Sequence, residues 1–208
     1  MMNATRYEDT ARLSLAIGVV SIGSLACLAT YFAVQGPFGT INDIGNAAAG
    51  AFSAGLAWRL RGQLSGRVGS LAVGAALVGA ALTVVGSTLV ISRTTGFFLA
   101  GLVSSVGFAA IGTWLVVLNR SGAVAEAWPP RLRTLGTVAG SLMMLGFASA
   151  PGILLRLDDP STAPAWAWLG SVGWLGAFVV YPAWAIWLAS VETRLAGRSV
   201  PLRDGTQA

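Results

Sequence analysis

The chain of 208 residues contains no histidine and no lysine, and Cys27 is its single cysteine. Zinc, haem and iron–sulfur sites of the usual kinds therefore lack their ligands. The absence of lysine excludes a Schiff base, the absence of histidine excludes serine–histidine hydrolysis, and one thiol cannot form a disulfide within the chain. The adjacent acids Asp158 and Asp159 are interpreted as a solvated turn, because two acids without further oxygens bind a divalent ion weakly. We accordingly predict no catalytic residues, no metal site and no cofactor, and an enzyme is the less favoured functional class.

Charged residues are also scarce in this sequence. Only 10% of the residues are charged, while 55% are hydrophobic and the mean hydropathy is +0.72. An ordinary soluble domain carries about 25% charged residues. So few charges cannot cover the surface of a water-soluble globule of this size, and we expect the excess apolar surface to face lipid.

Six segments have the length of a membrane-spanning helix, since a bilayer core of about 30 Å needs about 20 apolar residues. Five of them carry no charge. The sixth contains Asn42, Asp43 and Asn46, and it is either a crossing helix or a re-entrant segment. The six predicted spans are 13–34, 37–58, 68–91, 96–118, 135–155 and 166–190.

The arginines favour the crossing alternative, because basic residues concentrate on the cytoplasmic side of a membrane protein. If 37–58 crosses, eleven arginines fall on one side and only Arg93 and Arg156 on the other. We therefore predict an all-α bundle of six transmembrane helices in the cytoplasmic membrane of a prokaryote. Both termini are cytoplasmic in this topology, with residues 1–12 and 191–208 as tails. The expected partner is the lipid bilayer, and the side-specific arginines argue against nucleic acid.

Tryptophans are expected at both membrane boundaries, where an amphipathic ring meets the lipid headgroups. The loop around Trp128 is expected to lie on the inner membrane surface with Trp128 inserted, and a docking site for a cytoplasmic partner is the alternative. The predicted belts contain Trp166 and Trp168 on the outer side, and Trp58, Trp114, Trp184 and Trp187 on the inner side.

Small residues recur at helical spacing, which lets helices approach closely in lipid. Gly136 and Gly140 form a GxxxG motif, and Ala75 and Gly79 form a similar pair. Packing within the chain is the favoured interpretation. A homo-oligomer or a membrane-protein partner held by these Gly/Ala faces is the alternative.

Pro182 lies inside the last predicted span. Proline removes one backbone hydrogen bond of a helix, so a kink is expected there. We favour a fixed bend over a hinge.

The polar group Asn42, Asp43 and Asn46 is the one place where the sequence predicts chemistry, because an ionisable side chain in a membrane is costly unless it is paired or hydrated. Three alternatives are open. Asp43 forms a structural ion pair with Arg93, or the group lines an outward-facing cavity that binds a cation or polar solute, or Asn42 or Asp43 caps a helix that starts later.

Two functions follow, from different classes. The first is a non-catalytic accessory or assembly component of the membrane, favoured because the six spans hold only one ionisable residue. The alternative is a small-solute transport or substrate-binding subunit. Its site is expected near the outer end of the second helix, with ligand-binding residues Asn42, Asp43, Asn46, Trp174 and Tyr181.

Overall fold

The computed structural model describes residues 4–198, and this part of the chain folds into helices joined by turns and short loops. A 3₁₀ segment (Leu145–Ser149) joins α6 to α7, and a π-helical segment (Gly176–Val180), here called the π segment, joins α8 to α9. The predicted all-α class is confirmed for the described residues. The helices are α1 (Ala4–Val34), α2 (Phe38–Leu60), α3 (Gly66–Ile91), α4 (Phe97–Asn119), α5 (Gly122–Ala127), α6 (Pro130–Met144), α7 (Ala150–Leu154), α8 (Leu169–Leu175) and α9 (Tyr181–Arg198).

Five helical stretches between residues 4 and 198 are long and apolar enough to cross a membrane. The helix α2 has 23 residues, a length of about 34 Å. It is not among the five, because Asn42, Asp43 and Asn46 make it more polar than the others. The sixth crossing therefore stays a prediction. The five stretches are Thr5–Val34, Gly66–Ile91, Phe97–Asn119, Pro130–Leu154 and Ala165–Arg198.

The turn between α1 and α2 determines where the polar residues of α2 fall. Gln35 and Gly36 have positive φ angles of 60° and 83°, a left-handed ending that commonly closes a helix. Pro37 then precedes the first residue of α2, Phe38. Asn42 and Asp43 consequently lie inside α2 and do not cap it, which corrects the capping alternative.

Both terminal helices extend into segments that the sequence suggested were tails. Residues 4–12 belong to α1, and residues 191–198 belong to α9. The charged start of α1 is ordered by contacts with α2: Asp9 forms an ion pair with Arg59, and Arg6 donates to the Arg59 carbonyl oxygen at 3.0 Å. The charged residues at the start of α1 are therefore part of the helix and do not form a separate tail.

The helices form one bundle in which α1 to α4 pack in chain order, α6 packs on α4, and α9 returns along α1. We call the end with Arg6, Arg12 and Arg59 the basic end. The opposite end carries the α1–α2 and α3–α4 turns. The contact of α9 with α1 closes the bundle, so several helices line its interior at each end.

The core contains aromatic residues that were expected at the membrane boundary. Trp114 and Trp184 are fully buried, and Trp128 is only 5% exposed. Trp58, by contrast, is 53% exposed, with the Arg61 guanidinium 4.2 Å from its ring centre. The predicted inner belt is thus corrected for Trp114 and Trp184, because the helix faces that carry them turn toward neighbouring helices.

Candidate ligand-binding cavity

A cavity of about 380 Å³ lies in the half of the bundle opposite the basic end. Its lining comes from α1, α2, α3, α4, the 3₁₀ segment, the residues directly before α8, α8 itself and the π segment. Most of its lining is apolar, including Phe97, Phe98, Trp168 and Phe178. Its polar lining residues are Asn42, Asp43, Asn46, Ser104, Ser105, Ser149 and Ser171.

The polar wall comes from α2, which α1 approaches closely. A Cβ atom added to Gly45 would lie 2.7 Å from Ser24 Oγ, so glycine is needed for this contact. The Ser24 hydroxyl lies 2.8 Å from the Asn42 carbonyl oxygen and 3.1 Å from the Oδ1 atoms of Asn42 and Asn46. The single hydroxyl proton of Ser24 can be donated to one of these three oxygens at a time, so Ser24 links α1 to the asparagines at the edge of the cavity.

Asp43 is the acidic residue of this wall, and it is only 5% exposed. The Asn42 amide donates to Asp43 Oδ1 at 3.3 Å, while Oδ2 is buried without a hydrogen-bond partner. The Asp43 carboxyl group can therefore accept a hydrogen bond from one further donor.

The predicted ion pair between Asp43 and Arg93 is not formed. The salt bridges among residues 4–198 join Arg12 to Glu8 and Arg59 to Asp9. Arg93 is exposed in the α3–α4 turn, with φ of 56°. Its side chain is therefore placed on the surface, whereas Asp43 is inside the bundle.

An aromatic cluster forms the opposite wall. Trp174 and Phe178 stack with ring centroids 5.1 Å apart, and the Phe108 ring meets Trp174 edge-on at 5.7 Å. The structure thus brings the sequence-predicted Trp174 to the same cavity as Asn42, Asp43 and Asn46.

Tyr181, the fifth predicted ligand-binding residue, does not line the cavity. It is fully buried, its hydroxyl lies 2.9 Å from Ser53 Oγ, and its ring stacks on Trp184. Its contacts join α9 to α2, so its place in the fold is that of a packing residue.

The helix becomes irregular directly before Pro182. The π segment ends at Val180, and Pro182 is buried in the first turn of α9. Proline has no backbone N–H to donate, and the wider π turn leaves room for its ring. The extra residue in that turn also changes which side chains the following helix directs to each face. Phe178 and Val179 from this segment line the cavity, so the irregularity contributes to its wall.

The glycines of the GxxxG motif pack inside the bundle. An added Cβ at Gly140 would meet the Gly112 carbonyl oxygen at 2.5 Å, and one at Gly136 would collide with the Asn119 side chain. Both glycines therefore face α4, where they allow close packing of α6.

The four serines of the cavity, of which Ser171 lies on α8, were not singled out from the sequence. Ser104 and Ser105 come from α4, and Ser149 ends the 3₁₀ segment. Ser149 Oγ is buried without a hydrogen-bond partner. Adjacent serines in the otherwise apolar α4 were a signal for this wall, but Ser149 becomes part of it only through the packing of α4, α8 and the 3₁₀ segment.

The cavity reaches the surface of the bundle, because several of its lining side chains are exposed. α1 packs along α9 and reaches the π segment, whereas α8 packs against α4, α6 and the 3₁₀ segment. The exposed lining side chains are mostly apolar and include Phe32 on α1, Leu175 on α8 and Val179 on the π segment.

A second buried polar cluster lies at the basic end. Glu192 is 1% exposed, and its Oε1 accepts a hydrogen bond of 2.9 Å from Trp128 Nε1. Trp184 Nε1 donates to Asn119 Oδ1 at 3.2 Å. Trp128 is thus directed into the protein and not into a membrane surface, which corrects the sequence-based expectation.

The acids of the α7–α8 connection serve as hydrogen-bond acceptors. The Asp158 carboxylate accepts from the backbone N–H groups of Gly96 at 2.6 Å and Leu99 at 3.1 Å, at the start of α4. The Ser161 hydroxyl and backbone N–H donate to Asp159 and lower the pKa of that carboxyl. The described residues contain no group of three or more acidic, cysteine or histidine side chains placed to hold a metal ion.

Comparison of the chain with protein-family models, curated proteins and solved structures found no match. The cavity and its polar wall are therefore the basis for considering function.

Proposed function

We propose that this protein is a multi-pass membrane protein that binds a small, largely apolar molecule in the cavity beside α2. The observation that carries the proposal is the cavity itself, whose volume of about 380 Å³ is in the usual range for small-molecule sites. An apolar lining with a few convergent polar groups is also typical of such sites.

The membrane location and topology belong to the same proposal. Its supports are the five apolar helical stretches and the many large apolar side chains on the bundle surface. In the proposed topology, α2 makes a sixth crossing and both termini lie on the cytoplasmic side of a prokaryotic plasma membrane. The arginine distribution supports this orientation.

Exposed apolar side chains of the cavity lining support entry of the ligand from the membrane. They include side chains of α1, α8 and the π segment and lie away from the basic end. In the proposed topology they lie in the outer half of the bilayer. A hydrophobic molecule dissolved there would reach the polar wall without crossing water.

The accessory role remains a prediction. The sequence favoured it because the six spans hold only one ionisable residue. Of the Gly/Ala faces that could dock on a partner, the one with Gly136 and Gly140 packs against α4 of the same chain. We therefore give the binding function precedence.

The test uses the protein in phosphatidylcholine nanodiscs and a terminally brominated decanol, whose bromine quenches nearby tryptophans. We expect a saturable loss of at most about a quarter of the tryptophan fluorescence, because two of the eight tryptophans line the cavity. Quenching by probe dissolved in the lipid does not saturate and forms the background.

A matched pair of variants locates the binding. Gly101 lines the cavity and has open space where a Cβ would stand, so Gly101→Phe fills the cavity. Gly23 on α1 has the same open space but does not line it. The saturable quenching should disappear in Gly101→Phe and persist in Gly23→Phe. Equal quenching in the two variants would contradict a site in the cavity.

A further inference from the structure

The lining of the cavity contains an acidic side chain but no basic one. Asp43 is the only titratable side chain among the residues that line it, and no basic residue does so. Both salt bridges of the described chain involve residues of the basic end, and neither includes Asp43. The cavity thus contains an acid for which the described protein supplies no cation.

The hydrogen-bond inventory indicates what is missing at Asp43. Its Oδ1 accepts from the Asn42 amide, but its Oδ2 is buried without a donor. Ser149 Oγ, also on the cavity wall, is buried and unpartnered. The carboxylate oxygen Oδ2 of Asp43 requires a donor, whereas the Ser149 hydroxyl can either donate or accept a hydrogen bond.

Burial makes this requirement energetically important. A carboxylate taken out of water without a partner is strongly destabilised, and a hydrogen-bonded cation offsets much of that cost. An ammonium group brings three donors and one positive charge in a compact head. The remaining lining, including Trp174 and Phe98, fits an apolar body.

We propose that the ligand is an amphiphilic primary amine, whose ammonium group binds Asp43 and whose apolar body fills the aromatic part of the cavity. This inference rests on the proposed function and adds the ligand class. Asp43 is the residue that determines head-group specificity, and the apolar lining contacts the apolar body.

The experiment compares decylamine with decanol as competitors of the brominated decanol in the nanodisc assay. At neutral pH decylamine carries a positive charge, as the lysine side chain does. A hydrogen bond to a charged group predicts that decylamine displaces the probe at a concentration about tenfold or more below that of decanol. Decyltrimethylammonium, which is cationic but has no N–H, should compete more weakly than decylamine.

The variant Asp43→Asn removes the charge and keeps the size of the side chain. It should reduce the preference for the amine to less than about threefold, while displacement by decanol is unchanged. Glu126→Gln removes one negative charge from the exposed face of α5 and serves as the matched control, with the preference retained.

The outcomes separate this inference from the proposed function. Saturable probe binding with equal displacement by amine and alcohol would overturn the amine specificity and leave the cavity function intact. Loss of saturable probe binding in the unmodified protein would overturn both. The comparison of competitors on the unmodified protein decides the question even if Asp43→Asn fails to fold.

Discussion

Buried polar side chains join helices that are far apart in the sequence. Trp128, before α6, donates to Glu192 on α9, and the Ser53 hydroxyl on α2 meets the Tyr181 hydroxyl on α9. In an apolar interior each such group is costly without its partner. These pairs therefore specify which helix faces meet, in a protein whose helices are otherwise apolar on most sides.

The hydrogen bond from Trp128 to Glu192 can be measured with a matched pair of substitutions. Trp128→Phe removes this donor, whereas Trp114→Phe removes an equally buried indole N–H that has no partner. We expect Trp128→Phe to lower the free energy of unfolding by about 2 kcal/mol more than Trp114→Phe does.

Detergent-induced unfolding, followed by tryptophan fluorescence and circular dichroism, gives both free energies. The two variants lose similar ring volume, so packing losses largely cancel. A larger cost for Trp114→Phe would show that the buried bond does not stabilise the fold.

At the scale of the helix, close approach depends on glycines that face backbone atoms. A Cβ at Gly79 on α3 would collide with the Gly107 carbonyl oxygen on α4, and Gly112 and Gly140 meet in the same way between α4 and α6. Backbone atoms cannot move aside as a flexible side chain can. These contacts set the separation of α3, α4 and α6, and with it the position of the serines that α4 brings to the cavity.

Two alanine substitutions within α3 test this packing. Gly79→Ala places a methyl group against the Gly107 carbonyl, and we expect it to cost about 1–3 kcal/mol of stability. Gly74→Ala meets nothing within 4 Å and should be neutral or stabilising by up to about 1 kcal/mol, because alanine favours helix.

Thermal unfolding in detergent compares the two variants directly. Equal midpoints would mean that α3 and α4 separate without cost. A mutant that kept its midpoint but changed the oligomeric state would instead assign Gly79 to an interface between chains.

At the scale of the whole molecule, the two ends of the bundle differ in chemistry. The basic end carries arginines and the ion pair of Asp9 with Arg59, whereas the opposite half contains the cavity and the acid Asp43. The helix α2 connects the two ends, with Asp43 in its first half and Arg59 in its last turn. Whether α2 crosses the membrane therefore decides the orientation of the site.

Single-cysteine labelling tests the crossing, after Cys27→Ser removes the native thiol. Gln35 and Ser65 are exposed and lie on either side of α2. In intact cells, a membrane-impermeant maleimide should label Gln35→Cys but reach Ser65→Cys only after permeabilisation. Ser92→Cys is the control for the outer side, and Gly122→Cys the control for the inner side. Labelling of both α2 flanks from outside would show that α2 is re-entrant.

Several properties could be predicted from the sequence because they depend on local composition. Long apolar runs predicted the helices, since a chain in an apolar environment must satisfy its backbone polar groups within each segment. The polar residues of α2 could also be identified from the sequence, because Asn42, Asp43 and Asn46 interrupt an apolar pattern. Trp174 was placed with them as an expectation, and the structure brings it to the cavity.

Other properties depended on which helix faces meet. Helices that are apolar on most sides carry no stripe that identifies the buried face, so the burial of Trp114 and Trp184 was not visible from the sequence. Tyr181 and Arg93 were assigned from their position along the chain. The structure places Tyr181 against Ser53 and Arg93 in an exposed turn.

The sequence by itself determined the all-helical class and the segment in which an acid lies among apolar residues. Only the tertiary structure decided that no cation of residues 4–198 pairs with Asp43, that Glu192 is a second buried acid, and that serines from α4 and the 3₁₀ segment complete the cavity wall. Hydropathy and helix formation are determined within a segment. A binding site depends instead on how neighbouring helices are spaced and aligned, and contacts at glycines and buried hydrogen bonds set that spacing and alignment.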